Sequence, residues 1–116
     1  MKRQDAVTAL ILEIFRTNGD MIAAGDALVA DLALTSARWQ VLGAIALSPQ
    51  SLSVASIARN MGLTRQAVQR LVNAMELDGS LCFEDNPHHQ RAKLVVLTAK
   101  GHAIFTAAMQ RQAPWA

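Results

Sequence analysis

The sequence predicts a mainly α-helical domain with one small β-hairpin, and three observations lead there. Within SVASIARNMGLTRQAVQRLVNAMELDG, residues 53–79, apolar side chains recur twice at helical spacing. Val54, Ile57, Ala58 and Met61 fall at i, i+3, i+4 and i+7, and Val68, Leu71, Val72 and Met75 repeat the interval. Each stretch therefore forms a helix with one apolar stripe to bury. The few residues between them hold stop and start signals. Gly62 suits the left-handed conformation that ends a helix, and Thr64 suits the cap of the next. Beyond the second helix, two strand-like runs, Leu81 to Glu84 and Lys93 to Leu97, bracket a polar loop from Asp85 to Ala92 with a turn-forming Asn86-Pro87. Together these make a winged helix-turn-helix, with flanking N- and C-terminal helices.

The flanks follow from the same signals. Residues 5–17 read as a helix with Val7, Leu10, Ile11 and Ile14 on one side. Asn18-Gly19-Asp20 is a turn or break signal. A second helical stretch runs from about 20 to 32, with Met21, Leu28, Val29 and Leu32 apolar and Gly25 weakening it. The pattern fits two helices or one long kinked helix. Thr35 caps a helix to about Leu47 that buries Val41, Leu42 and Ile45, with Trp39 near its start. Residues 48–51 are a loop, and Leu52 suits a very short strand. Gly79 stops the second motif helix, and Thr98 caps a final helix with Ile104, Phe105, Ala108 and Met109 apolar. The expected divisions are a helical segment over 1–33, the winged motif over 34–98, and a C-terminal helix over 99–116.

Composition narrows the function classes. At 116 residues the chain is one domain of ordinary size. Apolar residues make up 52% and aromatics only 4%, so Leu, Ile, Val, Ala and Met must build the core. That apolar surplus points either to oligomerisation or to an Ala-rich helical composition. The net charge is only +2, but it is unevenly spread. Residues 1–50 hold four Lys/Arg against five Asp/Glu, whereas residues 51–116 hold seven against four. The basic excess lies with the motif and the loop after it, where it would attract phosphate. Cys82 is the only cysteine, which excludes a disulfide scaffold. The apolar N-terminal run is broken by Asp5, Glu13 and Arg16, unlike a signal peptide. No stretch is long and apolar enough for a membrane span, so a cytoplasmic protein is expected. There is no Gly-rich phosphate loop, nucleophile elbow, HExxH or paired-cysteine motif, so neither an enzyme nor a cofactor is expected.

The candidate site lies on the second motif helix. Opposite its apolar stripe stand Thr64, Arg65, Gln66, Gln69, Arg70 and Asn73. Arg matches guanine edges, and Gln or Asn matches adenine edges. The face is expected to meet the major groove of double-stranded DNA, with Arg65, Gln66 and Gln69 toward the bases. Thr64 and the helix N-terminal amides suit a phosphate oxygen, and Arg70 suits either role. Arg91 at the wing suits the minor groove, with Lys93, His88 and His89 near phosphates. The adjacent histidines also raise a metal reading, but no third ligand has zinc-site spacing to them. Cys82, between Leu81 and Phe83, suits a small buried hydrophobe better than an oxidation sensor. The rival to DNA binding is a winged helix used for protein association, since fold alone does not settle function.

Several stretches also carry a family likeness. Leu34-Thr35 and Trp39-Gln40-Val41-Leu42 precede the motif, and Ile57-Ala58-Arg59-Asn60-Met61-Gly62-Leu63-Thr64-Arg65-Gln66 runs through it. Val68-Gln69-Arg70-Leu71-Val72, Arg91-Ala92-Lys93-Leu94-Val95 and Leu97-Thr98-Ala99-Lys100-Gly101 follow. In this order and spacing, from about Leu32 to Gly101, the chain resembles the MarR family of bacterial transcription regulators. The resemblance implies a homodimer on an inverted-repeat operator, with half-sites about 10 bp apart. It also implies a pocket for a small aromatic acid beside the N-terminal helices, with Trp39 as its candidate wall or, alternatively, as a core anchor. Two features depart from the pattern. The wing reads His89-Gln90-Arg91 where the family commonly has Asp-x-Arg, which puts the wing's internal ion pair in doubt. The last helix is short for the family, so dimerisation is expected to rest on residues 1–32 with 99–116.

Overall fold

The structure, a computed structural model, describes residues 2–112. Helix α1 spans Lys2–Val29 and runs into a short 3-10 turn at Ala30–Leu32. Helix α2 is Ser36–Ala46, α3 is Val54–Met61, α4 is Arg65–Leu77 and α5 is Ala99–Gln112. Three strands, β1 (Leu52–Ser53), β2 (Leu81–Glu84) and β3 (Leu94–Leu97), form an antiparallel sheet in the order β1-β3-β2. Leu52 pairs with Val95 and Phe83 with the same residue from the other side, so β1 ties the start of α3 to the wing. The mainly helical winged fold is thus present, with the short strand at Leu52 widening the hairpin into a sheet. The expected C-terminal helix reaches Gln112, and residues 113–116 lie outside the described residues.

Of the two readings open at Asn18-Gly19-Asp20, the structure takes the single helix, and α1 passes without interruption for 28 residues. A break there would create two new helix ends, each leaving about four backbone groups without an intrahelical partner. The helix-breaking preference of Gly is only about 1 kcal/mol. The wing strand also begins at Leu94, one residue later than the sequence suggested.

Side-chain caps start α2, α3, α4 and α5. Thr35 Oγ1 accepts from the Arg38 amide (3.3 Å), Ser53 Oγ from Ser56 (3.3 Å), Thr64 Oγ1 from Ala67 (3.1 Å) and Thr98 Oγ1 from Gly101 (3.1 Å). Each satisfies one otherwise unpaired first-turn N–H. Gly62 closes α3 with φ 68°, the left-handed conformation expected of it.

The core gathers one face from every major element. Val29, Val41, Leu42, Ile57, Val68, Val72, Met75, Leu81 and Val95 are fully buried, and Phe105 packs against them. The motif stripes therefore point inward as the spacing required, Val68, Val72 and Met75 among them. Polar struts fix the helices to one another. Asp26 Oδ1 accepts from the Ser36 amide (2.6 Å), and the Ser36 hydroxyl donates to the Ile22 carbonyl (2.8 Å), locking α2 onto α1. Arg38 pairs with Asp78 (3.2 Å) at the far end of α4, and Lys100 donates to the Asp78 carbonyl. Arg111 joins Asp31, tying α5 to the 3-10 turn.

Helix α1 is different in kind. At 28 residues it extends about 42 Å, and only its last part meets α2 and α5. Leu10, Leu12, Ile14 and Phe15 are each more than half exposed.

Candidate nucleic-acid interface

Burying Val68 and Val72 turns the opposite face of α4 outward. Thr64, Arg65, Gln66, Gln69, Arg70 and Asn73 are all exposed. Thr64 still has its hydroxyl hydrogen to donate, because the cap to Ala67 uses only the oxygen as acceptor. Gln69 Nε2 donates to Asn73 Oδ1 at 2.8 Å along the helix. Among the described residues no carboxylate pairs with Arg65, Arg70, Arg91 or Lys93. Three other arginines, Arg16, Arg38 and Arg111, are spent on internal ion pairs.

The wing and α4 face each other across an open groove of about 420 Å³. Arg65 and Gln69 line one wall, Arg91 and Lys93 the other, and Ser53, Val54, Ala55 and Phe83 close its end and floor. The fold thus brings four of the ten residues expected near DNA to one groove, and His88 and His89 stand exposed on the wing loop outside it. Thr64, Gln66, Arg70 and Asn73 stay outside it, on the exposed surface of the same helix. Ser53 to Ala55 and Phe83 had no signal in the sequence as site residues. They arrive because β1 and β2 pair with β3 on either side.

The wing has a brace that the sequence reading passed over. Asn86 Nδ2 donates to the Ala92 carbonyl (2.9 Å), and Asn86 Oδ1 accepts from the His88 amide (3.0 Å). The His89 amide closes the turn on the Asn86 carbonyl (3.2 Å). One side chain so holds the loop at both ends, where the common family wing would use an Asp–Arg pair. Among the described residues, no group of three His, Cys, Asp or Glu is placed to hold a metal. Cys82 is half-buried in β2, opposite Val96.

A second cavity, about 450 Å³, lies between α1, α2 and α5. Met21, Ile22, Trp39, Gly43, Phe105 and Met109 contribute its apolar walls. Trp39 lines this cavity and also packs against the core.

Fold and groove together define a winged helix-turn-helix protein of the transcription-regulator class. Residues 34–92 match the profile of the MarR family, and the chain belongs to that family of winged-helix DNA-binding transcription regulators. It is 34% identical over 107 residues to an uncharacterized protein of Mycobacterium tuberculosis, covering 92% of this chain and 73% of that protein. It is 25% identical over 105 residues to the transcriptional activatory protein BadR of Rhodopseudomonas palustris, covering 89% of this chain and 60% of BadR. Among solved structures, the transcriptional repressor CouR bound to a 23-mer DNA duplex superposes with a TM-score of 0.80 at 25% identity, over 87% of this chain and 70% of CouR. No helix among the described residues is long and apolar enough to cross a membrane.

Proposed function

We propose that this chain is a cytoplasmic, sequence-specific regulator that binds double-stranded DNA with α4 in the major groove and the wing in the minor groove. The observation that carries this reading is the groove itself. Arg65, Gln69, Arg91 and Lys93 converge on it, and no internal carboxylate neutralises its cations among the described residues. Cations left unpaired on a folded surface keep their full attraction for phosphate. Base-reading side chains on the same wall supply sequence preference. Arg65, Gln66 and Gln69 read bases, Thr64 and Arg70 hold the backbone, Asn73 flanks the reading residues and holds Gln69, and Arg91 and Lys93 serve the wing. The superposable CouR is a repressor and was solved on a duplex. An operator overlapping a promoter would make this chain act as a repressor as well.

A homodimer on an inverted repeat completes the proposal. The projecting apolar side of α1 supports it, since Leu10, Ile14 and Phe15 are each more than half exposed in the monomer. Two such chains related by a two-fold axis would place two α4 helices on successive major grooves. The cavity beside Trp39 suits a small aromatic ligand. A ligand that binds better when α1 and α2 are spread would shift the dimer away from its DNA-competent spacing.

Anisotropy titration on duplexes selected from a random pool tests the core of this reading. Wild-type affinity is expected to fall steeply with salt, and Arg91→Ala is expected to lower the slope of log K against log salt by about 0.9 per protomer. Binding that ignores salt, or an Arg91→Ala slope equal to wild type, would reject the assignment.

A further inference from the structure

The hydrogen bond from Gln69 Nε2 to Asn73 Oδ1 points beyond general DNA binding. We infer that Asn73 is a positioning residue that makes Gln69 an adenine reader and turns it against guanine. This inference rests on the DNA-binding reading above.

A glutamine amide has two N–H hydrogens and one carbonyl oxygen. Left free, it can present both hydrogens to guanine, whose major-groove edge offers two acceptors, O6 and N7. It can equally present one hydrogen and its oxygen to adenine, whose edge offers the N7 acceptor and the N6 amino donor. A free glutamine is therefore a poor discriminator between purines. In this chain one Nε2 hydrogen is committed to Asn73. What remains toward the groove is one donor and the Oε1 acceptor. That pair matches adenine in both positions. Against guanine, Oε1 meets the O6 oxygen with no hydrogen between them, and an unmatched polar contact of this kind is where discrimination arises.

The position of the pair fits this role. Gln69 lines the groove between α4 and the wing, whereas Asn73 stands one turn further along the helix and outside that lining. Asn73 can thus orient Gln69 without occupying the space a base edge would need. The tether also fixes the long side chain before binding, which removes part of the ordering cost of the contact. Arg65 lies one turn before Gln69 on the same wall and is free to bind a neighbouring phosphate or guanine.

The test uses the 116-residue chain and duplexes selected by wild type from a random pool, with binding read by anisotropy at several salt concentrations. Wild type is expected to select adenine at one position per half-site, and replacing it by guanine should weaken binding about 10-fold or more. Asn73→Ala should compress that ratio to about 3-fold or less while leaving the salt slope unchanged, which loss of fold would not do. Asn73→Asp keeps an acceptor for Nε2, so it should preserve the purine ratio at lower overall affinity. A 7-deazaadenine at the selected position should weaken wild type but not Gln69→Ala. If Asn73→Ala keeps the wild-type purine ratio, or if the Gln69-dependent base is guanine, the inference fails and DNA binding stands. If wild type shows no salt-dependent binding to any duplex, both fail together.

Discussion

Replacing Gly101 by alanine would build a Cβ 1.9 Å from the carbonyl oxygen of Ser80. Gly101 is buried in the first turn of α5, and Ser80 sits between α4 and β2 with only 2% of its surface exposed. Real Cβ atoms essentially never come within 3.0 Å of such an oxygen, so backbone must separate from backbone by more than 1 Å. No flexible side chain is available to yield, because the obstacle is a carbonyl. The same oxygen accepts the Thr98 amide at 3.2 Å, and the Thr98 hydroxyl donates to Gly79. The displacement therefore strains the junction where α4, β3 and α5 meet. Overpacking costs about 1–3 kcal/mol, and a weakened buried hydrogen bond adds about 1 kcal/mol. A destabilisation of about 2–4 kcal/mol corresponds to a loss of very roughly 10 °C in Tm for a domain of this size. Thermal unfolding followed by circular dichroism, at one protein concentration for both chains, measures it. A Gly101→Ala variant within about 0.5 kcal/mol of wild type would show that α5 is not clamped to Ser80 as described.

Three further outcomes follow from named contacts. Asp26→Ala removes the acceptor for the Ser36 amide, so a loss of about 1–2 kcal/mol is expected in urea unfolding; an unchanged midpoint would mean that α1 and α2 are not joined through this carboxylate. Ile14→Glu places a charge on the projecting part of α1, where Ile14 is 56% exposed; if the proposed dimer forms through α1, sedimentation should show this variant as monomer with helix content preserved, and a variant that associates as wild type does would exclude this surface. The Arg111 guanidinium hydrogen-bonded to Asp31 holds that carboxyl below the usual carboxylate range. Its small contribution is therefore present above the ordinary carboxylate pKa and lost as pH falls through the lowered value. The stability difference between wild type and Asp31→Asn should vanish in strong acid, and a difference that grew there would contradict the pairing.

Much of the motif was legible because its signals are local. A threonine three residues ahead of the amide it caps, a glycine at the end of α3, and apolar positions at i, i+3, i+4 and i+7 need no knowledge of distant chain. Thr64, Gly62 and the Val68–Val72 stripe behave as those rules require. From the same stripe it followed that Arg65, Gln69 and Arg70 face solvent. The signal at Asn18-Gly19-Asp20 left one helix or two open, since it weighs single residues while a continuous hydrogen-bond ladder is settled over many turns. Asn86 looked like a turn former, and its second role, reaching across the wing to Ala92, depends on the closure of the loop.

By itself the sequence determined which faces would be buried and which residue types would be left outside, because side-chain periodicity and capping act within one or two turns. Only the tertiary structure decided that Arg91 and Lys93 share a groove with Arg65 and Gln69, that Arg38 reaches Asp78 across 40 residues, and that Ser80 leaves no room for a side chain at Gly101. Those are distances between separate elements. They are set by how the core packs and how β3 registers between β1 and β2, which no local window contains.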